Sequence, residues 1–314
     1  MRVLTRSDLD KIELTPAEVV AVVEEAYRAL AAGLSDNPSK LTVQPPDGHS
    51  VAYSMLGRDG TRQIVAFKTS YNFHPDRRHY YTTLSLYDDR TGAPVALMDC
   101  AAVGAMRTPA VSALLARECA APDSRSVLVV GTGVQGRQAL PYLQVTLPGL
   151  ERFMVYGTHP EGLRAVRDSL PGREVEAVDD LPAAAREADV ILAVAGPRSP
   201  ARIEGDLLRP GALCVLVGYG LAPSTLRRAD RVVATSEAQM RVTGTDMADE
   251  HGRLRPVDAE LPDVLAGRLT ARTGADQRIF AYNSGLVITD IALGHHFAQA
   301  AEERGLGQVI HLWR

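Results

Sequence analysis

The 314-residue sequence contains few cysteines, which limits the ways in which its fold could be cross-linked. Cys100, Cys119 and Cys214 are scattered, odd in number and without Cys-x-x-Cys or Cys/His spacing. This pattern provides neither a disulfide framework nor a zinc site, and it is typical of a reducing compartment. We therefore expect a cytoplasmic protein without a structural metal.

Long apolar runs and basic blocks are also missing. The N-terminus has no apolar core of signal-peptide length, and no run reaches the roughly 20 residues that span a bilayer. The formal net charge is −4, and Lys and Arg are nowhere clustered. Neither a membrane nor a nucleic acid is an expected partner.

From Ser126 onward the sequence alternates regularly between short apolar runs and helical or loop segments. Such alternation predicts a parallel sheet covered on both faces by helices. The predicted strands are at 127–130, 153–157, 175–178, 190–196, 213–218 and 231–235.

The first of these strands runs into a glycine-rich turn. In a dinucleotide-binding fingerprint, Gly131 permits the turn, Gly133 lets the backbone approach a pyrophosphate, and Gly136 lets the helix pack on its strand. The helix N-terminus then offers N–H groups to the phosphates. Glycine spacing alone occurs in many turns, but the surrounding strand–helix pattern favours a cofactor site. The expected contacts are Gly131, Thr132, Gly133, Val134, Gln135 and Gly136.

The segment after the second of these strands should distinguish NAD from NADP. An acidic residue there would accept hydrogen bonds from the ribose of NAD. The sequence at 156–159, YGTH, has no carboxylate, and Thr158, His159 and Arg164 could hold a 2′-phosphate. The sequence thus favours NADP(H) over NAD(H). The alternative is that residues 156–159 form an ordinary loop and that the enzyme accepts both NAD(H) and NADP(H).

The remainder of the chain has a different pattern. Thr15 to Glu18 form a capping box that predicts a helix ending near Gly33. Residues 36–100 are predicted to be rich in strands, and a helix is predicted from about Pro109 to Cys119. Residues 236–280 have no clear pattern, and the last forty residues are predicted to return to helix.

Two cations in the N-terminal part are candidates for binding a carboxylate. Lys68 lies on a predicted strand face with Ile64 and Ala66; alternatively, it is an edge lysine that reaches water. Arg107 could form a bidentate pair with a carboxylate, and Thr108 could contact the cofactor phosphate. Alternatively, Thr108 caps the next helix and Arg107 is a surface residue.

No local pattern identifies a proton donor. The candidates in the strand-rich region are Tyr53, His49, His74 and His79.

Four segments, in this order, resemble the ornithine cyclodeaminase and mu-crystallin family. They are Lys68 in an apolar strand, GxPxALMD at 92–99, RTxAxSALxA at 107–116 and VGTGxQG at 130–136. The resemblance extends from about Leu41 to Ile291. It implies an α/β protein with a Rossmann-type parallel-sheet domain at 111–287. It also implies a discontinuous α+β substrate-binding and dimerisation domain, 1–110 with 288–314, and hence a homodimer.

The resemblance also implies chemistry at the α-carbon of an amino acid, with hydride transfer to or from a nicotinamide through an imine. Lys40, Lys68 and Arg107 would then bind the substrate carboxylate. Thr108 and the glycine turn would hold the pyrophosphate, and the segment containing Ser284 would run past the nicotinamide. Lys68, Arg107 and Tyr53 are the expected catalytic residues.

Two departures from the cyclodeaminase pattern remove carboxylates. Tyr53-Ser54-Met55 has no acid before the methionine, and 217–221, VGYGL, lacks the catalytic aspartate. The charged side chain of ornithine would then lack an acceptor. We therefore expect an imine reductase or amino-acid dehydrogenase that uses NAD(P)H and a small-molecule substrate. An opine-like condensing dehydrogenase, a true cyclodeaminase or a non-catalytic NADPH-binding protein remain as alternatives.

Overall fold

The computed structural model describes residues 1–73 and 80–312. The chain divides into two compact units, Met1–Arg107 with Leu286–Arg314, and Thr108–Gly285. The boundaries expected from the sequence lie at 110/111 and 287/288. In the described ranges, no helix is both long and apolar enough to cross a bilayer.

The helices of the described residues are numbered in chain order. They are α1 (Arg6–Leu9), α2 (Pro16–Ala31), α3 (Cys100–Cys119), α4 (Val134–Thr146), α5 (Pro160–Asp168), α6 (Leu181–Glu187), α7 (Pro223–Arg228), α8 (Glu237–Thr243), α9 (Leu261–Leu265) and α10 (Val287–Glu303).

The strands of the described residues are numbered in the same way. They are β1 (Arg2–Leu4), β2 (Ser35–Asp36), β3 (Leu41–Val43), β4 (Ser50–Asp59), β5 (Ile64–Phe73), β6 (Tyr80–Asp88), β7 (Pro94–Asp99), β8 (Ser126–Val130), β9 (Arg152–Tyr156), β10 (Val175–Ala177), β11 (Val190–Ala193), β12 (Leu213–Leu216), β13 (Arg231–Ala234), β14 (Ala259–Glu260), β15 (Ile279–Tyr282) and β16 (Gln308–Val309).

The first unit contains a mainly antiparallel sheet in the order β16-β1-β7-β6-β5-β4-β2, with β3 paired to β4. Its β5 alternates as the sequence predicts: Ile64, Ala66 and Lys68 are buried, whereas Phe67 is exposed. On the two neighbouring strands, Gly57 and Leu86 pair with Ala66 and are also buried, so the buried face continues across β4, β5 and β6.

Helix α10 covers this buried face together with α2, which packs against it. The helix and the sheet approach closely at Gly57, where a Cβ atom would lie 2.5 Å from Cγ1 of Val287, and at Gly294, where a Cβ atom would lie 2.5 Å from Cδ2 of Leu84. Helix α2 begins at the predicted capping box. The Thr15 hydroxyl accepts a hydrogen bond from the N–H of Glu18, and the Glu18 carboxylate accepts one from the N–H of Thr15. The sequence therefore predicted the start of α2 correctly, whereas the packing of α10 on this face was not predicted.

The opposite face of this sheet carries large apolar side chains that are exposed. Phe67 and Tyr87 form an edge-to-face pair with ring centroids 5.8 Å apart. Thr69 and Thr83 share a hydrogen bond between them. We call this surface the open sheet face, defined by the exposed Leu56, Phe67, Tyr71 and Tyr81 and the half-buried Tyr87.

The second unit confirms the predicted Rossmann-type sheet. Its strands run parallel in the order β10-β9-β8-β11-β12-β15-β13-β14. Residues Val127 to Val130 are fully buried, because helices cover both faces of such a sheet. The strand order reverses between β8 and β11, and ligands of doubly wound sheets bind at the carboxyl ends of the strands at this point.

The start of α3 was predicted wrongly. The helix begins at Cys100 instead of Pro109, because Asp99 Oδ1 accepts the N–H of Ala101 over 2.7 Å and caps it. Pro109 therefore lies inside the helix, and neither Arg107 nor Thr108 belongs to its first turn. The local sequence around Pro109 is the same whether the proline stands at the first position of a helix, where proline is common, or inside it. The sequence therefore could not distinguish the two cases.

A second difference concerns Ile279–Tyr282, which lies where the unassigned residues 236–280 meet the last forty residues, predicted to return to helix, and which forms β15. All four residues are buried, and β15 pairs with β12 on one side and β13 on the other. A short apolar run has no periodicity that distinguishes a central strand from a buried helix.

Candidate functional site

The first unit joins Lys68 and Arg107 to one carboxylate, that of Asp290 on α10. Lys68 Nζ donates to Asp290 Oδ1 over 2.9 Å, and Arg107 Nε donates to the same oxygen over 3.1 Å. The Lys68 and Arg107 side chains are 11% and 13% exposed, and that of Asp290 is 0% exposed. Two cations thus meet one anion in surroundings of low dielectric constant.

These cations keep Asp290 ionised. Burial would raise the pKa of Asp290, but Arg107 and Lys68 outweigh burial and the pKa is lowered from 3.8. The stability that this carboxylate contributes is therefore complete above about pH 3.8 and is lost as the pH falls through the lower folded-state value. At neutral pH the cluster holds its charges.

Two neutral groups belong to the surroundings of the same carboxylate. Cys100 Sγ is 3.6 Å from Asp290 Oδ1, and burial raises the pKa of this thiol to about 12. Burial also raises the pKa of Tyr27, whose hydroxyl is buried near Arg107 and Asp290. Neither group adds a charge to the cluster at neutral pH.

Lys40 and Tyr53 are placed together in the same unit. Lys40 Nζ lies 4.3 Å from the centroid of the Tyr53 ring, a cation–π contact. Burial, followed by the charge of Lys68, lowers the pKa of Lys40. In the β4–β5 register, Met55 faces Lys68 and Tyr53 faces Ser70, so that Tyr53 lies on the same face as Lys68. We call Lys40, Lys68, Arg107 and Asp290 the cationic cluster.

The other proton-donor candidates are His49, His74 and His79. His49 is exposed and its Nδ1 lies 2.6 Å from Asp47 Oδ1. His74 and His79 lie outside the described residues. Tyr53 is therefore the candidate that the structure sets beside the cationic cluster.

Sequence reasoning missed Asp290. The signal was a single acid in the otherwise apolar run LVITDIALG at 286–294. An acid on the buried side of a helix requires a buried partner. The partners, Lys68 and Arg107, lie 222 and 183 residues away, so local patterns did not reveal them.

In the second unit, the glycine turn has the geometry of a phosphate cradle. Gly131 has a φ of +115°, and a Cβ atom there would lie 2.6 Å from Ala195 N. A Cβ on Gly136 would lie 2.0 Å from Gly131 O, whereas one on Gly133 would meet nothing within 4 Å. Packing therefore requires two of the glycines, and the third leaves open space in front of α4, where a pyrophosphate fits.

The residues between these glycines differ in exposure. The Thr132 side chain is buried against Gly157 and Gly162, where an added Cβ would lie 2.5 and 2.3 Å from it. A phosphate contact by Thr132 would therefore come from its backbone. Val134 is exposed and Gln135 is half-buried at the start of α4.

The loop after β9 contains no carboxylate. Thr158 and His159 are exposed, and His159 is the N-cap of α5. Arg164 lines a surface depression with Arg173 and Val175, at the beginning of β10. Because dinucleotides bind at the carboxyl ends of such strands, this position favours Thr158 and His159 over Arg164 as phosphate ligands.

The segment after β15 is held by side-chain hydrogen bonds. Asn283 Nδ2 donates to Thr108 O over 3.1 Å and to Ser112 Oγ over 3.0 Å. Ser284 Oγ lies 2.6 Å from Thr235 Oγ1. The Thr108 side chain is buried. These bonds fix the backbone at 283–285 at the carboxyl end of a central strand.

The segment 217–221 presents a tyrosine at the same edge of the sheet. Two backbone hydrogen bonds, of 2.9 and 3.1 Å, join Tyr219 to Ala195, and the Tyr219 side chain is exposed. Across the described residues, no group of three or more His, Cys, Asp or Glu side chains is arranged to hold a metal ion.

Comparison with known proteins gives a family and a fold. The model of the ornithine cyclodeaminase/mu-crystallin family matches residues 2–304. A relative, the Delta(1)-pyrroline-2-carboxylate reductase of Paracoccus denitrificans, is 35% identical over 147 residues, 46% of each chain.

Two solved structures share the fold over nearly the whole chain. The Delta(1)-pyrroline-2-carboxylate reductase of Thermococcus litoralis, in complex with NADH and L-proline, has a TM-score of 0.84 at 23% identity and covers 99% of this chain and 100% of its own. An archaeal alanine dehydrogenase dimer with bound NAD has a TM-score of 0.85 at 19% identity, covering 100% and 99%. At these identities the likeness shows the fold.

The glycine turn leads to a test by cofactor binding. Gly136→Ala should weaken NADPH and NADH binding by about 100-fold, or ~2.8 kcal/mol, because the new Cβ would overlap Gly131 O. Quenching or enhancement of cofactor fluorescence would measure the dissociation constant. Gly274→Ala is the control, since a Cβ there meets only Gln277 at an ordinary 3.5 Å. Unchanged binding in Gly136→Ala would contradict the cradle assignment.

Proposed function

The chain belongs to the ornithine cyclodeaminase/mu-crystallin family, and from this premise we propose that it is an NAD(P)H-dependent oxidoreductase acting at the α-carbon of an amino acid or its imine. The observation that carries the proposal is the cationic cluster, in which Lys68 and Arg107 are fixed by Asp290. The glycine turn of the second unit supports a dinucleotide as the redox partner.

The cationic cluster suits a carboxylate ligand. Asp290 engages Nε of Arg107 and one hydrogen of the Lys68 ammonium. The two Nη groups of Arg107 can then form a bidentate pair with a substrate carboxylate. Lys40 adds a third positive charge near Lys68. The single anion of the cluster leaves a net positive charge for a negatively charged substrate.

The chain's own residues would act by holding the substrate. When bound, the nicotinamide supplies or accepts the hydride. Fixing the carboxylate limits the positions that the adjacent α-carbon can take, and such positioning accounts for a large part of catalysis in reactions of this kind. Tyr53 is the proposed proton donor because its ring contacts Lys40 in the same cluster.

Reduction of an imine is favoured over cyclodeamination. The segments 53–55 and 217–221 have no carboxylate to accept a charged side-chain amine, and Tyr219 occupies the second segment. The relative from Paracoccus denitrificans and the Thermococcus litoralis structure are both Delta(1)-pyrroline-2-carboxylate reductases, and Delta(1)-pyrroline-2-carboxylate is a cyclic imino acid. Both support a 2-imino acid as the substrate class.

The function is tested by following nicotinamide absorbance with a panel of substrates. The panel contains cyclic imino acids, 2-oxo acids with ammonia or amino acids, and free amino acids, each with NADH and NADPH. We expect turnover of an imine. In Arg107→Ala, kcat/KM should fall about 100- to 1,000-fold through a higher KM and a lower kcat, since a buried charge pair with the substrate is lost.

Arg107→Lys is the matched variant for this assay. It keeps the charge but lacks the planar fork, so we expect an intermediate loss. Kinetics of Arg107→Ala equal to the wild type would remove the carboxylate-binding role. Tight NADPH binding without turnover of any panel member would favour a non-catalytic binding protein instead.

We further propose that NADP(H) is preferred over NAD(H). The absence of a carboxylate at 156–159 and the exposure of Thr158 and His159 support this preference. The two solved structures contain NADH and NAD, so the proposal of NADP(H) rests only on the loop at 156–159 of this chain.

Thr158→Asp should reverse the preference. The new carboxylate would repel a 2′-phosphate and accept from a ribose hydroxyl, and the NADPH/NADH ratio of kcat/KM should fall about 100-fold. Arg164→Ala is the control, and its ratio should not change because Arg164 lies on α5 and faces the depression near the start of β10. A ratio that responds to Arg164→Ala but not to Thr158→Asp would show that the phosphate site is elsewhere.

A homodimer formed through the open sheet face is also part of the proposal. An exposed apolar patch of this kind is typical of an interface, and the archaeal alanine dehydrogenase is described as a dimer. A reducing compartment such as the cytoplasm fits the three cysteines, which are buried and unpaired.

The oligomeric state can be tested by light scattering. The wild type should have the mass of two chains, and Tyr71→Glu should dissociate it because a charge would be buried without a partner. Leu269→Glu replaces a similarly exposed residue of the second unit and should leave the dimer intact. A Tyr71→Glu protein that remains dimeric would place the interface elsewhere.

A further inference from the structure

We propose that Asp290 is a positioning residue, which holds the two carboxylate-binding cations, Lys68 and Arg107, in one arrangement and keeps the lysine charged in buried surroundings. This inference rests on the proposed function, since it assigns a role within the same site. Asp290 would touch neither substrate nor cofactor and would act through the two cations.

The geometry supports this role because three distant elements converge on one oxygen. Lys68 comes from β5, Arg107 from α3 and Asp290 from α10, and both cations donate to Oδ1. The two cations are therefore within about 6 Å of each other, where like charges repel strongly in a medium of low dielectric constant. The shared carboxylate offsets this repulsion and sets the positions of both cationic groups.

The position of Asp290 is itself well determined. Its helix neighbours Thr289 and Ile291 are fully buried, and α10 lies directly on the sheet at Gly57. A short aspartate side chain on such a helix has little freedom. The carboxylate is thus a fixed point to which the longer and more flexible lysine and arginine side chains attach.

Comparison with a second buried acid of the same unit separates positioning from structural pairing. Asp59 is also fully buried, and both of its oxygens are used: Oδ1 accepts the N–H of Arg62 over 3.0 Å, and Oδ2 accepts from Nη1 over 2.9 Å. In Asp290, by contrast, Oδ1 serves both cations, and Oδ2 is buried without a donor among the described residues. A pair selected for stability alone would satisfy both oxygens.

No other described group can replace the charge of Asp290. The groups that face the cluster are Lys68 on β5, Lys40 before β3, Cys100 and Arg107 on α3, and Tyr27 on α2. Cys100 and Tyr27 are neutral at the pH of an assay. Without Asp290, the ammonium of Lys68 would face two like charges with no counter-ion, and such a lysine releases its proton at lower pH.

This consequence can be measured without any substrate. The 314-residue sequence has three lysines, Lys11, Lys40 and Lys68, so this chain labelled with 13C at lysine Cε gives three signals, assignable through Lys→Arg variants. In Asp290→Asn, the midpoint of the Lys68 titration should fall by about two pH units relative to the wild type. Asp59→Asn is the matched control and should leave the Lys68 midpoint unchanged.

Kinetics provide the second readout. In Asp290→Asn, the KM for the imine substrate should rise at least about tenfold and should increase further with pH, as Lys68 loses its charge. Asp59→Asn should lower the melting temperature without changing the pH profile of KM. Asp290→Glu should keep the Lys68 midpoint but raise KM, because the longer side chain moves the two cations.

The outcomes separate the proposals. A Lys68 midpoint and a KM profile in Asp290→Asn that match those of Asp59→Asn would overturn the positioning role. If Asp290→Asn does not fold, Asp290→Glu decides, and a wild-type KM in that variant would overturn the role equally. Failure of the wild type to reduce any imine would refute the proposed function while the NMR titration still tests Asp290.

Discussion

The first unit depends on one physical constraint, which is that buried cations must be balanced by a buried anion. Lys68 and Arg107 are largely withdrawn from water, and isolated charges in such surroundings are costly. One carboxylate oxygen, Oδ1 of Asp290, accepts a hydrogen bond from each cation and offsets the cost of burying both charges. Because the anion belongs to α10, the helix near the end of the chain is as necessary for the cationic cluster as the sheet that it covers.

The fold was largely predictable wherever the chemistry of a segment is local. The capping box at Thr15, the alternation around Lys68 and the glycine spacing from Gly131 to Gly136 each express a rule that acts over a few residues. The differences occurred where local rules are silent or ambiguous. Pro109 is compatible with both the start and the middle of a helix, and Ile279–Tyr282 is too short for its period to be recognised.

In the candidate site, too, the residues within local motifs were predictable, and the partner that is distant in sequence was not. Lys68 and Arg107 could be named from sequence because their neighbours form motifs, but their common partner could not. Asp290 is separated from them by about two hundred residues and lies in no motif of its own. Which cations share an anion is decided by the packing of α10 on the sheet, and tertiary packing of this kind leaves no local signal beyond one acid in an apolar run.

The place of β15 in the second unit bears on how the chain emerges from the ribosome. This strand lies between β12 and β13, yet it is synthesised after both of them and after β14. Until residue 282 has been made, β12 and β13 each expose an unpaired edge, and such edges invite association with other chains. The nascent protein therefore exposes the unpaired N–H and C=O groups of two strand edges until β15 fills the gap between them.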